Sequence, residues 1–506
     1  TQTTDELALR QGCLDRQRKG LTAITRLLAE ADAKTIERAD AMVASLPSPD
    51  ACADVQALRR VPLPADTATR EAVDAIRDTL GEIRALRAAG RYEQALPLSR
   101  DARARADETQ YLPVVAEALL MEAELVGYSD NRVKAEALLH QAARAATEAR
   151  HDEVLAEIWL DLARHMSIAQ SQHEQAWRWA GYAEAVINRL GRPPWFRAQL
   201  LCTQGNLLWA SQKSAEALPR LQSCLELRRA DSPDSSLIAA TLTHIGNAQI
   251  DLGQHEDAER SFRRALDLAT ASRGPKHPQV AISHNGLGVA YYMQGRLADA
   301  EAQYQAAYDL NLELLGPDNP ELLYSMGNVA NCRRERGQYA LALASMRKVE
   351  ALVRRAFPPE HREVGTTLHN IAELLALQDE PEQALDHYQR ALPIRTKVHG
   401  ATSRWVGNTL TGQGEVLLAL GRNRRALESL ERAMEARTAD AAGRRVDHGR
   451  TRFALARALE RTGGDMARAQ RLVETAREDF TEVDGALDEQ RRDAIVAWLA
   501  AHAPKP

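Results

Sequence analysis

From Gly246 onward the chain repeats itself every 42 residues without an insertion, because small residues recur at Gly246, Gly288, Ala330, Ala372 and Gly414. A fixed period of this size marks a solenoid, in which each unit buries its apolar face only against its neighbours. The same interval carries a turn position (Gly253, Gly295, Gly337, Asp379, Gly421) and a second small position (Ala258, Ala300, Ala342, Ala384, Ala426). It also carries a bulky position (Phe262, Tyr304, Met346, Tyr388, Leu430) and a third small one (Ala265, Ala307, Val349, Ala391, Ala433). The spacing explains the residue types. A helix ends at the turn residue, a second begins, and the two small positions face each other, since only Gly or Ala lets two antiparallel helices cross closely. The bulky residue and the third small residue share one face of the second helix and are placed to pack on the next unit.

This order of small, turn, small, aromatic and small residues resembles the tetratricopeptide repeat family. Leu287-Gly288-Val289-Ala290-Tyr291-Tyr292 and Ala300-Glu301-Ala302-Gln303-Tyr304 carry the likeness most fully. The unit is longer than the usual ~34 residues. The extra length lies in connectors such as Gly274-Pro275-Lys276-His277-Pro278, Gly316-Pro317-Asp318-Asn319-Pro320 and Pro358-Pro359-Glu360-His361, which look like those of kinesin light chains. Proline in each connector ends one unit and starts the next.

Less regular units occur around Gly205 and Ala217, Ala163 and Ala176, Ala123 and Ala135, and Ile83 and Ala95, and a last one around Ala456 and Ala469. The expected fold is all-α: a right-handed superhelical tetratricopeptide solenoid of about ten helix hairpins, with an N-terminal helical hairpin and a C-terminal capping helix. The boundaries expected are 1–65 for the N-terminal element, 66–483 for the solenoid, most regular over 236–440, and 484–506 for the capping helix and tail. The capping face is expected to comprise Ile495, Val496, Trp498 and Leu499.

In the N-terminal element, Leu14, Leu21, Ile24, Leu27 and Leu28 have helical spacing, and Asp32 can cap a second helix through Ile36, Ala39, Val43 and Leu46. An antiparallel hairpin turning at Asp32 brings Cys13 near the level of Cys52, where a disulfide is geometrically feasible. Gly12-Cys13-Leu14-Asp15-Arg16, Leu27-Leu28-Ala29-Glu30-Ala31-Asp32 and Ala51-Cys52-Ala53-Asp54, with the repeats that follow, also resemble the region after the transmembrane helix in myxobacterial membrane-bound Ser/Thr protein kinases. That resemblance implies a helical sensor region outside the cytoplasm, and it strengthens the pairing of Cys13 with Cys52. The kinase signatures themselves, a Gly-rich phosphate loop, His-Arg-Asp and Asp-Phe-Gly, do not occur in this sequence, so a non-catalytic part of such a kinase is expected and no enzyme activity.

Sixty-five basic and 70 acidic side chains nearly cancel to a net charge of −5, which points to neither nucleic acid nor an anionic membrane surface as partner. No apolar run is long enough to span a bilayer, so no membrane insertion by this chain is expected. The sequence opens at Thr1 without an initiator Met or secretory signal and reads as an excised or processed segment. Cys202, Cys224 and Cys332 fall inside repeat helices and read as buried free thiols. No metal site or cofactor is expected, because neither CxxC nor HExxH spacing occurs. His277 and His361 sit in connectors beside Pro, and His284 occupies a position that is Leu in other units, so none of these calls for catalysis.

A ligand is expected on the concave face, along the stripe of each first helix that points away from the crossing. One residue after the crossing position, three before it and four after it share that side. These are Thr243, Asn247, Asn285, Tyr292, Asn331, Arg334, His369, Glu373, Thr411 and Glu415. Their amides can donate to and accept from an extended peptide backbone. The expected function is a protein- or peptide-binding scaffold, with self-association as a further mode. Two settings stay open: the extracytoplasmic sensor region of a receptor-type Ser/Thr kinase, with Cys13 and Cys52 linked, or a cytoplasmic adaptor with both thiols reduced.

Overall fold

The computed structural model describes residues 4–30, 35, 38–46, 49–128, 132–167, 173–231, 235–439, 444–481 and 486–502. Every regular element among them is helical. Ten helix pairs follow in order, from Thr67–Ala88 with Tyr92–Thr109 to Arg445–Thr462 with Met466–Asp479, and Ala486–Ala501 closes the series. The chain divides into two compact units, Thr1–Ala290 and Tyr291–Pro506, the division falling within the helix Pro278–Met293.

The turn position does what its residue type requires. Gly253, Gly295, Gly337 and Gly421 have φ of 72°, 74°, 72° and 69°, and Asp379 has 59°. A left-handed residue there lets the next amide reach back over the helix end: Gln254 N to Gln249 O at 2.9 Å, Gln338 N to Arg333 O at 2.8 Å, Glu380 N to Leu375 O at 3.0 Å. The connectors carry a second periodic device. The Nδ1 of His277 accepts from the amide of Gln279 at 3.0 Å, Asn319 Oδ1 from Glu321 at 2.9 Å, His361 Nδ1 from Glu363 at 3.3 Å and Ser403 Oγ from Val406 at 3.4 Å. These four residues, one period apart, each satisfy an orphan donor at the start of a first helix, and burial lowers His277 to about 4, keeping that cap neutral.

The crossing is tighter than small-against-small packing. A Cβ on Gly246 would lie 2.7 Å from the ring of Phe262, and one on Gly286 would also collide with that ring. Phe262, fully buried, thus fills the space that its own first helix and the following one both leave empty. Gly205 leaves the same space for Leu221, Gly414 for Leu430 and Gly412 for Tyr388. Half-buried and buried arginines add a polar latch between successive units: the half-buried Arg228 donates to Leu237 O and Thr241 Oγ1 at 2.8 and 2.7 Å. Arg395 repeats this with Trp405 O and Thr409 Oγ1 at 3.2 and 3.0 Å.

In the N-terminal element the first helix is Thr4–Ala29 and a short helix follows at Ala39–Ala44. Asp32 and Ile36, the expected cap and start of the second helix, lie outside the described residues. Cys13 and Cys52 are joined, with Cα atoms 5.6 Å apart. Two sequence expectations change. Cys202 and Cys224 are not free thiols but a second disulfide, Cα–Cα 5.5 Å. Each lies three residues from the Gly205–Leu221 contact, in opposite directions along antiparallel helices, so close approach at Gly205 brings the sulfurs together. Cys332 is the free cysteine, and burial pushes its thiol up to about 12. Val496 is also not part of the capping face: it is 51% exposed, while Ile495 and Trp498 are buried. The Trp498 indole donates to Glu460 Oε2 at 2.7 Å, anchoring the closing helix to the last hairpin. No helix among the described residues is long and apolar enough to cross a membrane.

The substitution Gly246→Ala is expected to lower stability by about 1–3 kcal/mol in urea denaturation, because Phe262 has nowhere to move in a filled crossing. Combining it with Phe262→Leu should cost less than the two single changes summed. Strict additivity would show that the ring does not occupy the glycine's space.

Candidate functional site

In the second unit the first helices of successive hairpins line a cavity of about 570 Å³. Tyr292, Arg334, His369, Glu373 and Glu415, all from the expected stripe, come together on its wall. The floor is an ion-pair relay. Arg450, from the helix Arg445–Thr462, donates through Nε and Nη2 to Glu415 at 3.0 and 2.6 Å and through Nη1 to Glu373 Oε1 at 3.0 Å. Arg334 reaches the other oxygen of Glu373 at 3.4 Å and Glu335 at 2.7 Å. Fork geometry lets each guanidinium bridge two carboxylates, which a lysine could not do in the same way.

Burial and these partners set the protonation states. Burial alone would raise Glu373, but the guanidiniums of Arg450 and Arg334 outweigh it and hold the carboxyl well below the usual carboxylate range. Glu415 is lowered too, Arg450 overcoming its burial. His369 is pushed down to about 3, by burial first and by Arg395 next. Its Nδ1 lies 3.3 Å from Thr409 Oγ1. It is therefore a neutral imidazole, and the edge of its ring meets Tyr388 at a centroid distance of 5.6 Å. Burial likewise pushes the Tyr388 hydroxyl well above its ordinary range, so it stays protonated.

Other stripe residues are placed elsewhere. Thr411 is fully buried, donating to Gly407 O at 2.9 Å and sharing a 2.8 Å hydrogen bond with Thr451, and it faces no open space. Asn331 is exposed and lies outside the cavity lining. Thr243, Asn247 and Asn285 belong to the first unit; Thr243 is buried and accepts from Gln279 Nε2 at 3.0 Å, while the two asparagines are half-buried. The stripe rule missed Arg450 and Asn408, which stand six residues before their crossing positions and extend the same face by one turn. It also missed Asp379, Tyr388, Asp488 and Arg491, which enter from a turn, a second helix and the closing helix, and Arg444 and Asp447, which lie at the start of the first helix Arg445–Thr462. Among the described residues no His, Cys, Asp and Glu grouping could hold a metal ion.

The family model of the tetratricopeptide repeat matches residues 196–271, 237–313, 294–355 and 363–439. The chain carries tetratricopeptide repeats. They imply a scaffold for protein–protein interaction. No curated protein sequence matches the chain. Solved structures similar to it include the kinesin light chain TPR-like repeats of Podosopora anserina, 16% identical, covering 42% of this chain and 100% of that one, with a TM-score of 0.37. A signal transduction ATPase with a tetratricopeptide repeat sensor from Pyrococcus horikoshii is 16% identical, covering 76% of this chain and 53% of that one, with a TM-score of 0.48. The apo form of RapI is 13% identical, covering 57% of this chain and 99% of that one, with a TM-score of 0.42.

The neutral histidines make the tetratricopeptide array acid-sensitive before its carboxylates titrate. His369 is held neutral to about 3, and His244 and His277 to about 4, all by burial, while unfolded imidazoles protonate near the ordinary value of 6.5. Below 6.5 the unfolded chain takes up protons that the folded chain refuses, so stability falls as pH drops towards 4, by up to about 1.4 kcal/mol per pH unit for each group. His369→Gln should flatten this slope between about pH 6 and 5 in urea titrations. An unchanged slope would mean that His369 is charged in the fold.

Proposed function

We propose that this tetratricopeptide scaffold holds an extended segment of a protein partner in the 570 Å³ cavity of its second unit. The observation that carries the reading is the convergence there of Tyr292, Arg334, His369, Glu373 and Glu415 from successive repeats, as a concave polar surface rather than a scattered solvated face. The relay of Arg450 and Arg334 fixes the floor in advance, so little side-chain order has to be gained on binding. The scaffold role calls for no catalytic group.

The setting we propose is the extracytoplasmic side of the cell envelope, as the sensor region of a membrane-bound Ser/Thr kinase. The disulfides Cys13–Cys52 and Cys202–Cys224 support an oxidising compartment, and the N-terminal resemblance supports the kinase. A cytoplasmic adaptor would keep all four sulfurs as thiols.

Two measurements test these readings. A fluorescent heptapeptide library screened against the full chain should yield binders whose affinity falls about tenfold on Tyr292→Ala, with melting unchanged. Binders indifferent to Tyr292→Ala would place the site elsewhere. Peptide mapping under non-reducing conditions, on protein from its native cells, should recover both disulfides; four alkylated thiols would favour the adaptor.

A further inference from the structure

Four arginines and six carboxylates line the cavity, so two negative charges are in excess. The relay absorbs most of the charge on the floor: Arg450 with Glu415 and Glu373, Arg334 with Glu373 and Glu335, and, from the closing helix, Arg491 with Asp488 at 2.7 Å. Asp379 and Asp447 take part in no ion pair among the described residues. Asp379 is exposed and Asp447 half-buried. The neutral imidazole of His369 adds no positive charge against them.

A second, independent feature looks for a donor. Tyr388 is 1% exposed, yet its hydroxyl makes no hydrogen bond among the described residues. Its oxygen sits against Gly412, itself part of the cavity wall, where a Cβ would collide with it. The hydroxyl oxygen is not one of the solvent-excluded atoms left without a partner, so its lone pairs border the open space of the cavity, where a donor can reach them. The half-buried ring of Tyr292 is also part of the lining, a surface on which a guanidinium or ammonium can stack.

Asp379 is itself a departure from the repeat. Its counterparts at the same turn are Gly253, Gly295, Gly337 and Gly421, and all five residues have positive φ. Glycine takes that conformation freely, whereas aspartate does so at a cost. The one turn that carries the cost is the one among these five that lines the cavity.

From this juxtaposition we infer that the cavity is specific for a basic side chain of its partner: an arginine or lysine enters between Asp379 and Asp447, stacks on Tyr292 and donates to the Tyr388 hydroxyl. The inference rests on the reading of the cavity as a peptide site and adds the chemistry of what it takes. A bound cation halves the excess negative charge of the lining, and its hydrogen bonds reach the Tyr388 hydroxyl.

The test is a heptapeptide array, spanning acidic, neutral and basic sequences, probed with the full chain and with three variants. Basic peptides should be enriched, and Asp379→Gly should weaken them about fivefold or more while leaving the melting temperature equal or raised, since glycine suits the turn better. Asp447→Asn should weaken them similarly, and Tyr388→Phe should weaken arginine and lysine peptides while retaining the ring. Enrichment of acidic or neutral peptides, lost on Tyr292→Ala but indifferent to Asp379→Gly, would overturn this inference and leave the peptide-binding cavity standing. No peptide binding that depends on Tyr292 would overturn both.

Discussion

Everything in this chain depends on how closely two antiparallel helices can cross. Glycine at the crossing removes a side chain, and the space so freed is filled by a bulky residue sixteen positions later, as Phe262 fills that of Gly246 and Leu430 that of Gly414. The same ring also abuts the following unit, as Phe262 abuts Gly286, so one residue ties together three helices. Because that geometry recurs at a constant interval, successive first helices present side chains in register. The cavity in the second unit follows from this register: residues 42 apart, such as Tyr292 and Arg334 or Glu373 and Glu415, fall beside one another on its wall.

Close crossing has a second consequence, electrostatic rather than steric. Helices this near one another exclude water from between their inner turns, so charges there must be paired or neutral. Glu373 and Glu415 remain ionised because Arg450 lies between them, and His369 stays neutral because it is buried and Arg395 repels a proton on it. Arg228 and Arg395 solve the same problem by donating to carbonyl and threonine oxygens of the next helix. The polar groups that hold the units together are thus mostly partnered internally, although the Nε atoms of Arg334 and Arg395 make no hydrogen bond among the described residues. Asp379, Asp447 and the Tyr388 hydroxyl, which border the cavity without a side-chain partner among the described residues, are placed to meet a ligand.

The fold was largely legible because period and residue type pointed to the same positions: turn glycines took positive φ, the small positions were buried, and the bulky ones packed across units. The site was legible only in part. The stripe of each first helix reached Tyr292, Arg334, His369, Glu373 and Glu415, but it included Thr411, which the next hairpin covers at Thr451. It missed Asp379 because a turn lies off any helical stripe, although an aspartate standing among four glycines was the signal that could have found it. Arg450 was missed because the stripe stopped one turn short. The Cys202–Cys224 disulfide was hidden for another reason: its two members lie on the two helices of a crossing whose exact register a lone sequence leaves open, whereas Gly205 against Leu221 fixes it in three dimensions.

The most direct test of this account is hydrogen–deuterium exchange of the full chain, alone and saturated with the tightest-binding peptide of a library screen. The account predicts added protection in the helices that wall the cavity, Leu322–Glu335, Arg362–Leu377, Arg404–Ala419 and Arg445–Thr462, and at the turn that holds Asp379. Protection confined to residues before Ala290, or spread evenly over exposed second helices, would contradict it.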